Sequence, residues 1–144
     1  MRQTLTNLLD NAAKYSYRAE EVHVSLRETN GEIVIVVENY GVGIPQSDIE
    51  RIFQPYYRST VPDRRGTRRG SGLGLTIVQE AVEQVHGGLV RVESVPDARL
   101  AVARDNAEAI QNIGHLTTFT VRLSRAKLEE LAEVHNKTED HASG

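Results

Sequence analysis

A chain of 144 residues with 39% hydrophobic and 26% charged residues has the length and composition of one globular domain with a single core. A net charge of −3 and a pI near 6.0 count against nucleic acid or an anionic membrane as a bulk partner. The absence of cysteine excludes a disulfide scaffold and thiolate metal sites, and fits a reducing compartment. No apolar run approaches the ~20 residues needed to cross a bilayer, and the first residues enter an amphipathic segment with no leader pattern, so a cytoplasmic domain is expected.

Leu5, Leu8, Leu9, Ala12 and Ala13 recur at helical spacing and predict a helix over residues 2–15, on which Asn7, Asn11 and Lys14 share a face. Val22, Val24 and Leu26 alternate with His23, Ser25 and Arg27, the pattern of a half-buried strand. Asn30-Gly31 is the favoured hairpin pair, and the β-branched run Ile33 to Val37 reads as a central buried strand. Gly41-Val42-Gly43-Ile44-Pro45 ends that strand, and Ser47 is placed to cap a short helix running to Phe53. Residues 59–71 hold Ser, Thr, Pro, Asp, Gly and the arginines Arg64, Arg65, Arg68 and Arg69 without periodicity, and read as a mobile surface loop.

Gly70-Ser71-Gly72-Leu73-Gly74-Leu75 then opens a helix predicted over 72–85, with Gly87 as its C-cap. Helix N-termini present unpaired N–H groups, and glycines let a phosphate reach them. Residues 89–95 and 117–123 read as two further strands, and 125–134 as a last helix. Residues 136–144 are polar and are expected to fray. One domain over 1–134 with a polar tail over 135–144 follows.

Three ordered segments carry the chemistry: Asn7 to Ser16, Gly41 to Pro45, and Gly70 to Leu75. They resemble the N box and the two glycine boxes of the catalytic, ATP-binding domain of sensor histidine kinases, whose fold is shared with the gyrase, Hsp90 and MutL ATPases. Phe53-Gln54-Pro55-Tyr56-Tyr57-Arg58 resembles the phenylalanine box between the glycine boxes, and His86-Gly87-Gly88 also matches. The resemblance covers about residues 2–124 and implies a two-layer α/β sandwich of the Bergerat type, with a mixed sheet carrying helices on one face.

The resemblance assigns Asn11 to Mg²⁺, whose octahedral shell needs only one or two protein oxygens. Asn7 stands one turn earlier beside the same metal–phosphate cluster. Lys14 supplies a point charge for the phosphates, and Tyr15 a hydroxyl or a packing surface for the nucleotide. Gly41, Gly43, Ile44, Gly70, Gly72, Leu73, Gly74 and Leu75 line the ATP site. Arg58 and the arginine-bearing loop correspond to the lid over the triphosphate; a solvated loop is the alternative for any single arginine. No aromatic residues interleave with these arginines, so nucleic acid is not an expected partner. Hydrolytic relatives carry a glutamate base at the position of Asn7. An amide cannot accept that proton, so the chemistry implied is transfer of the γ-phosphate to a histidine on a separate helical hairpin, with a response regulator downstream. None of the five histidines here matches that acceptor motif, and the strand that usually precedes the N box is missing, so a piece of a longer sensor is expected.

Two departures from the family pattern stand out. The aspartate that meets the adenine amino group is here Asn39, and Glu38 cannot replace it because neighbouring strand residues face opposite ways. The neutral amide implies a weaker adenine bond and keeps open a nucleotide-binding pseudokinase or sensor; a hydrolytic relative is a lesser alternative. The second departure is an alanine-rich insertion over about 96–116, where Asp105 or Asn106 could cap a short helix. It reads either as a tolerated surface insertion or as a partner-binding element.

Overall fold

The structure is a computed structural model that describes residues 2–17, 21–57, 74–97 and 114–142. Arg58, Gly70, Gly72, Leu73, the arginine-bearing loop and most of the 96–116 insertion lie outside the described residues.

The described elements are α1 (Arg2–Tyr15), β1 (Val22–Thr29), β2 (Glu32–Gly41), α2 (Gln46–Ile49), α3 (Gly74–Gln79), β3 (Leu89–Pro96), β4 (His115–Ser124) and α4 (Arg125–Ala142). The strands form one sheet in the order β1-β2-β4-β3. All three pairings are antiparallel, so the described strands hold no parallel pair of the kind the mixed sheet implied. β1 and β2 are hairpin neighbours through Asn30 and Gly31, both at positive φ as the Asn-Gly turn requires.

Register puts alternate residues of each strand into rows across the sheet. Ile35, Val121 and Val90 make one row, and Val37, Phe119 and Val92 the next. Onto them pack Leu8 and Ala12 of α1, Val78 of α3 and Val82 beyond it, giving one core with helices on one face of the sheet. The Phe53 ring meets Phe119 edge to face at 6.4 Å, which docks the phenylalanine box on the core.

Four local expectations change. The strand expected to stop at Gly41 includes it, because Gly41 still pairs with His115. Ser47 caps nothing: α2 starts from Pro45, whose carbonyl accepts from the Asp48 and Ile49 amides, and no side chain caps it. The helix after the second glycine segment is not α throughout. It widens over Glu80–Val85 into π-type turns, with the His86 amide on the Ala81 carbonyl at 3.1 Å. It closes at Gly87, at φ +61°, with the Gly88 amide on the Val82 carbonyl at 2.7 Å, as the glycine cap required. Finally, α4 runs on to Ala142 instead of fraying after Val134. Its outer turns are exposed; the i,i+4 pair Arg125–Glu129 lies in its first turn, and His135 meets Glu139 farther out.

β1 also departs from the half-buried pattern. Val24 and Leu26 share a face with Val37 and Ile35, yet stand 52% and 68% exposed. α1 packs over β2, leaving this outer strand largely beyond the helix layer.

Among the described residues, no helix is long and apolar enough to cross a membrane.

Candidate functional site

The site begins where α1 ends. Ser16 makes a β-bridge with Gly41. The Tyr17 amide donates to the Tyr40 carbonyl at 2.9 Å, and the Val42 amide to the Tyr15 carbonyl at 3.1 Å. The two backbones come so close that a Cβ on Gly41 would lie 1.8 Å from the Tyr15 carbonyl oxygen. Gly43 is constrained twice: its φ is +75°, and a Cβ there would lie 2.4 Å from Cγ of His115. The first glycine segment is thus fastened to the N-box helix on one side and to β4 on the other.

The second glycine segment is fastened to the same helix nearer its start. Asn7 Nδ2 donates to the Gly74 carbonyl at 3.3 Å. That bond commits the amide nitrogen, and the side-chain oxygen remains as a hard donor. Asn11, one turn on, is half-buried beside the buried stripe of Leu8 and Ala12. Lys14, half-buried, lies in the last turn of α1. Tyr15 contributes its carbonyl to the clamp on Val42. Ile44 and Leu75 both pack against the core. Thr76 Oγ1 donates to the Phe53 carbonyl at 2.9 Å, tying α3 to the phenylalanine box, and Tyr57 donates its hydroxyl to the buried Asp48 carboxylate. That bond, with the carboxylate's charge, raises the Tyr57 pKa above its usual 10.0.

Asn39 lies deepest. It is 2% exposed, and its Nδ2 is buried with no hydrogen-bond partner. A buried donor left unpaired costs about 1–3 kcal/mol, so an unpaired amide here points to something that completes it. Next to it in register stands buried Thr117, and next to Thr117 stands Ser94. The Ser94 and Thr117 hydroxyls are 2.9 Å apart, and Ser94 Oγ accepts the Ile44 amide at 2.9 Å. Sequence reading missed Thr117, Ser94 and His115 as parts of the site. The signal was available only through strand register, which sets residues distant in sequence side by side.

The structure therefore gathers Asn7, Asn11, Lys14, Tyr15, Gly74 and Leu75 along α1 and α3, and Asn39 and Gly41 at the end of β2 with Gly43 and Ile44 in the segment just beyond it. Among the described residues there is no cluster of three or more His, Asp or Glu able to hold a metal; the oxygens on offer are neutral amides.

The two-layer fold and the ordered N-box and glycine segments are those of the family that joins histidine kinases with gyrase and Hsp90. The family model described as "Histidine kinase-, DNA gyrase B-, and HSP90-like ATPase" matches residues 1–127, and the chain belongs to that family. Within it the similarity runs to sensor kinases. The chain is 41% identical over 93 residues to a probable sensor kinase, SilS, of Salmonella typhimurium, covering 65% of this chain and 18% of SilS. It is 34% identical over 125 residues to the sensor protein SrrB of Staphylococcus aureus, covering 87% of this chain and 18% of SrrB. The chain thus spans about a fifth of the length of these two relatives. Among solved structures, the mycobacterial sensor histidine kinase MprB superposes with a TM-score of 0.64 at 32% identity, covering 84% of this chain and 69% of that one.

His86, at the end of the π-type turns, gives a pH test of the fold. Its Nδ1 is buried without a partner, and burial holds its pKa below the ordinary 6.5. The unfolded chain therefore takes this proton at a higher pH than the folded one. The stability His86 supports is complete above about pH 6.5 and is lost as pH falls toward the folded value. The melting temperature of the wild type should drop further between pH 7 and pH 5 than that of His86→Gln. Parallel curves would show that His86 does not resist protonation.

Proposed function

We propose that the chain binds Mg-ATP and presents the γ-phosphate to a histidine on a separate helical-hairpin domain of the protein to which it belongs, with a response regulator as the onward acceptor. The observation that carries this reading is the double fastening of α1: its end is clamped to Gly41 and its beginning to Gly74. This supports a site in which the asparagine face of one helix lies between a base-binding segment and a phosphate-binding segment.

The donor set suits Mg²⁺, a hard ion that keeps several waters and takes one or two neutral oxygens from the protein. Asn11, with Asn7 beside it, would hold the ion, which when bound neutralises charge on the phosphates. The chain's own contribution is positional. Asn7 Oδ1 is oriented by the Gly74 bond, Lys14 adds positive charge at the end of the same helix face, and the backbone around Gly74 meets the phosphates at a helix start. Phosphoryl transfer needs this alignment and charge more than covalent assistance. With an amide at residue 7 instead of a carboxylate, water has no base there, which disfavours hydrolysis.

The test is reconstitution. Incubated with Mg-ATP alone, the chain should release negligible phosphate. With the helical-hairpin domain of its parent protein added, phosphate should appear on the hairpin histidine in an acid-labile form. Binding of ATP without any transfer would instead support the nucleotide-sensing alternative that Asn39 favours. Rapid hydrolysis by the chain alone would overturn the assignment of Asn7.

A further inference from the structure

We infer that Asn39 makes this site accept 6-oxopurine nucleoside triphosphates about as well as ATP, so that it does not discriminate at the purine 6-position; the inference rests on the nucleotide-binding reading above. A carboxylate offers acceptors only. It can meet the 6-amino group of adenine, and it repels the 6-oxygen of hypoxanthine. The amide of Asn39 offers one acceptor and one donor, and a half-turn about its last bond exchanges them. Adenine presents a donor at N6 and an acceptor at N1; hypoxanthine presents an acceptor at O6 and a donor at N1. The amide matches either edge with two hydrogen bonds by choosing its orientation.

Three observations make this more than a property of asparagine. The side chain is 2% exposed, so bulk water has little access to it. Its Nδ2 is buried and unpaired, so no hydrogen bond fixes the amide nitrogen in one orientation. The neighbours that meet it in register, Val22 and Thr117, carry no charge, and the Thr117 hydroxyl can donate or accept toward Ser94. Among the described residues, the register neighbours of Asn39 therefore add no charged group that would restore a preference for adenine.

The experiment is calorimetric titration of the whole chain with three Mg-triphosphates: ATP, inosine triphosphate, and purine riboside triphosphate, which lacks any 6-substituent. Inosine triphosphate differs from ATP only at the purine edge, so the triphosphate contacts are constant. In the wild type, ATP and inosine triphosphate should bind within about tenfold of each other, and purine riboside triphosphate more weakly than either. Asn39→Asp should tighten ATP by about fivefold and open the ratio against inosine triphosphate to more than ~30-fold. If that variant does not fold, Asn39→Ala serves instead: ATP and inosine triphosphate should both weaken to the level of purine riboside triphosphate. A wild-type preference for ATP beyond about tenfold, or equal binding of all three, overturns the inference while leaving the nucleotide site intact. Failure of all three to bind overturns the nucleotide-binding reading itself.

Discussion

Gly41→Ala should cost the chain about 3 kcal/mol or more of stability and remove its nucleotide affinity with it. The added methyl would lie 1.8 Å from the Tyr15 oxygen, 2.7 Å from the Tyr15 carbonyl carbon and 2.9 Å from Cα of Ser16. All three are backbone atoms in a buried β-bridge, so no side chain can swing aside. The end of α1 must lift off β2, and the Val42–Tyr15 and Tyr17–Tyr40 hydrogen bonds go with it. For a domain of this size the melting temperature should fall by roughly 10 °C. Gly31→Ala is the control: its φ of +76° costs the methyl about 1–2 kcal/mol, but nothing lies within 4 Å of it, so ATP binding should persist. A Gly41→Ala chain that melts within about 2 °C of wild type would mean that the clamp is not tight.

Asn11→Ala should separate binding from folding. Asn11 is outside the core, and alanine is the better helix former by a few tenths of a kcal/mol, so the variant should melt at or slightly above the wild-type temperature. Its affinity for ATP in the presence of Mg²⁺ should nevertheless fall by about tenfold or more, with little change when Mg²⁺ is chelated. Calorimetry with and without EDTA reads this difference directly. Equal Mg²⁺ dependence in the two chains would remove Asn11 from the metal assignment.

Local signals gave most of the fold's elements. The apolar period of α1, the Asn-Gly turn and the β-branched run of β2 each carry enough information within a few residues, and each lies where it was expected. What sequence could not yield were the consequences of neighbourhood. Val24 and Leu26 alternate like core residues and are exposed, because burial depends on how far the helix layer reaches across the sheet. Ser47 has the chemistry of a cap, but Pro45 starts the helix before it. The insertion's place between two strands was legible; the continuity of those strands up to its base was not. In the candidate site, the asparagines and glycines stood out in the sequence because they fall within ordered motifs that resemble a known family. Thr117, Ser94 and His115 are ordinary strand residues until register sets them against Asn39, Ile44 and Gly43.

The way β3 and β4 come together bears on how this chain can change. Pro96 pairs with His115, and one step beyond, the Asp97 amide still donates to the Gly114 carbonyl at 2.9 Å. The described ladder therefore ends on a completed hydrogen bond. The row of Asn39, Thr117 and Ser94 lies three residues inside that bond. The hairpin thus acts as a socket. Because loop-closure entropy grows only slowly with loop length, a sequence of different length exchanged between Asp97 and Gly114 should cost the domain little stability, which makes this position a point at which to graft a reporter domain.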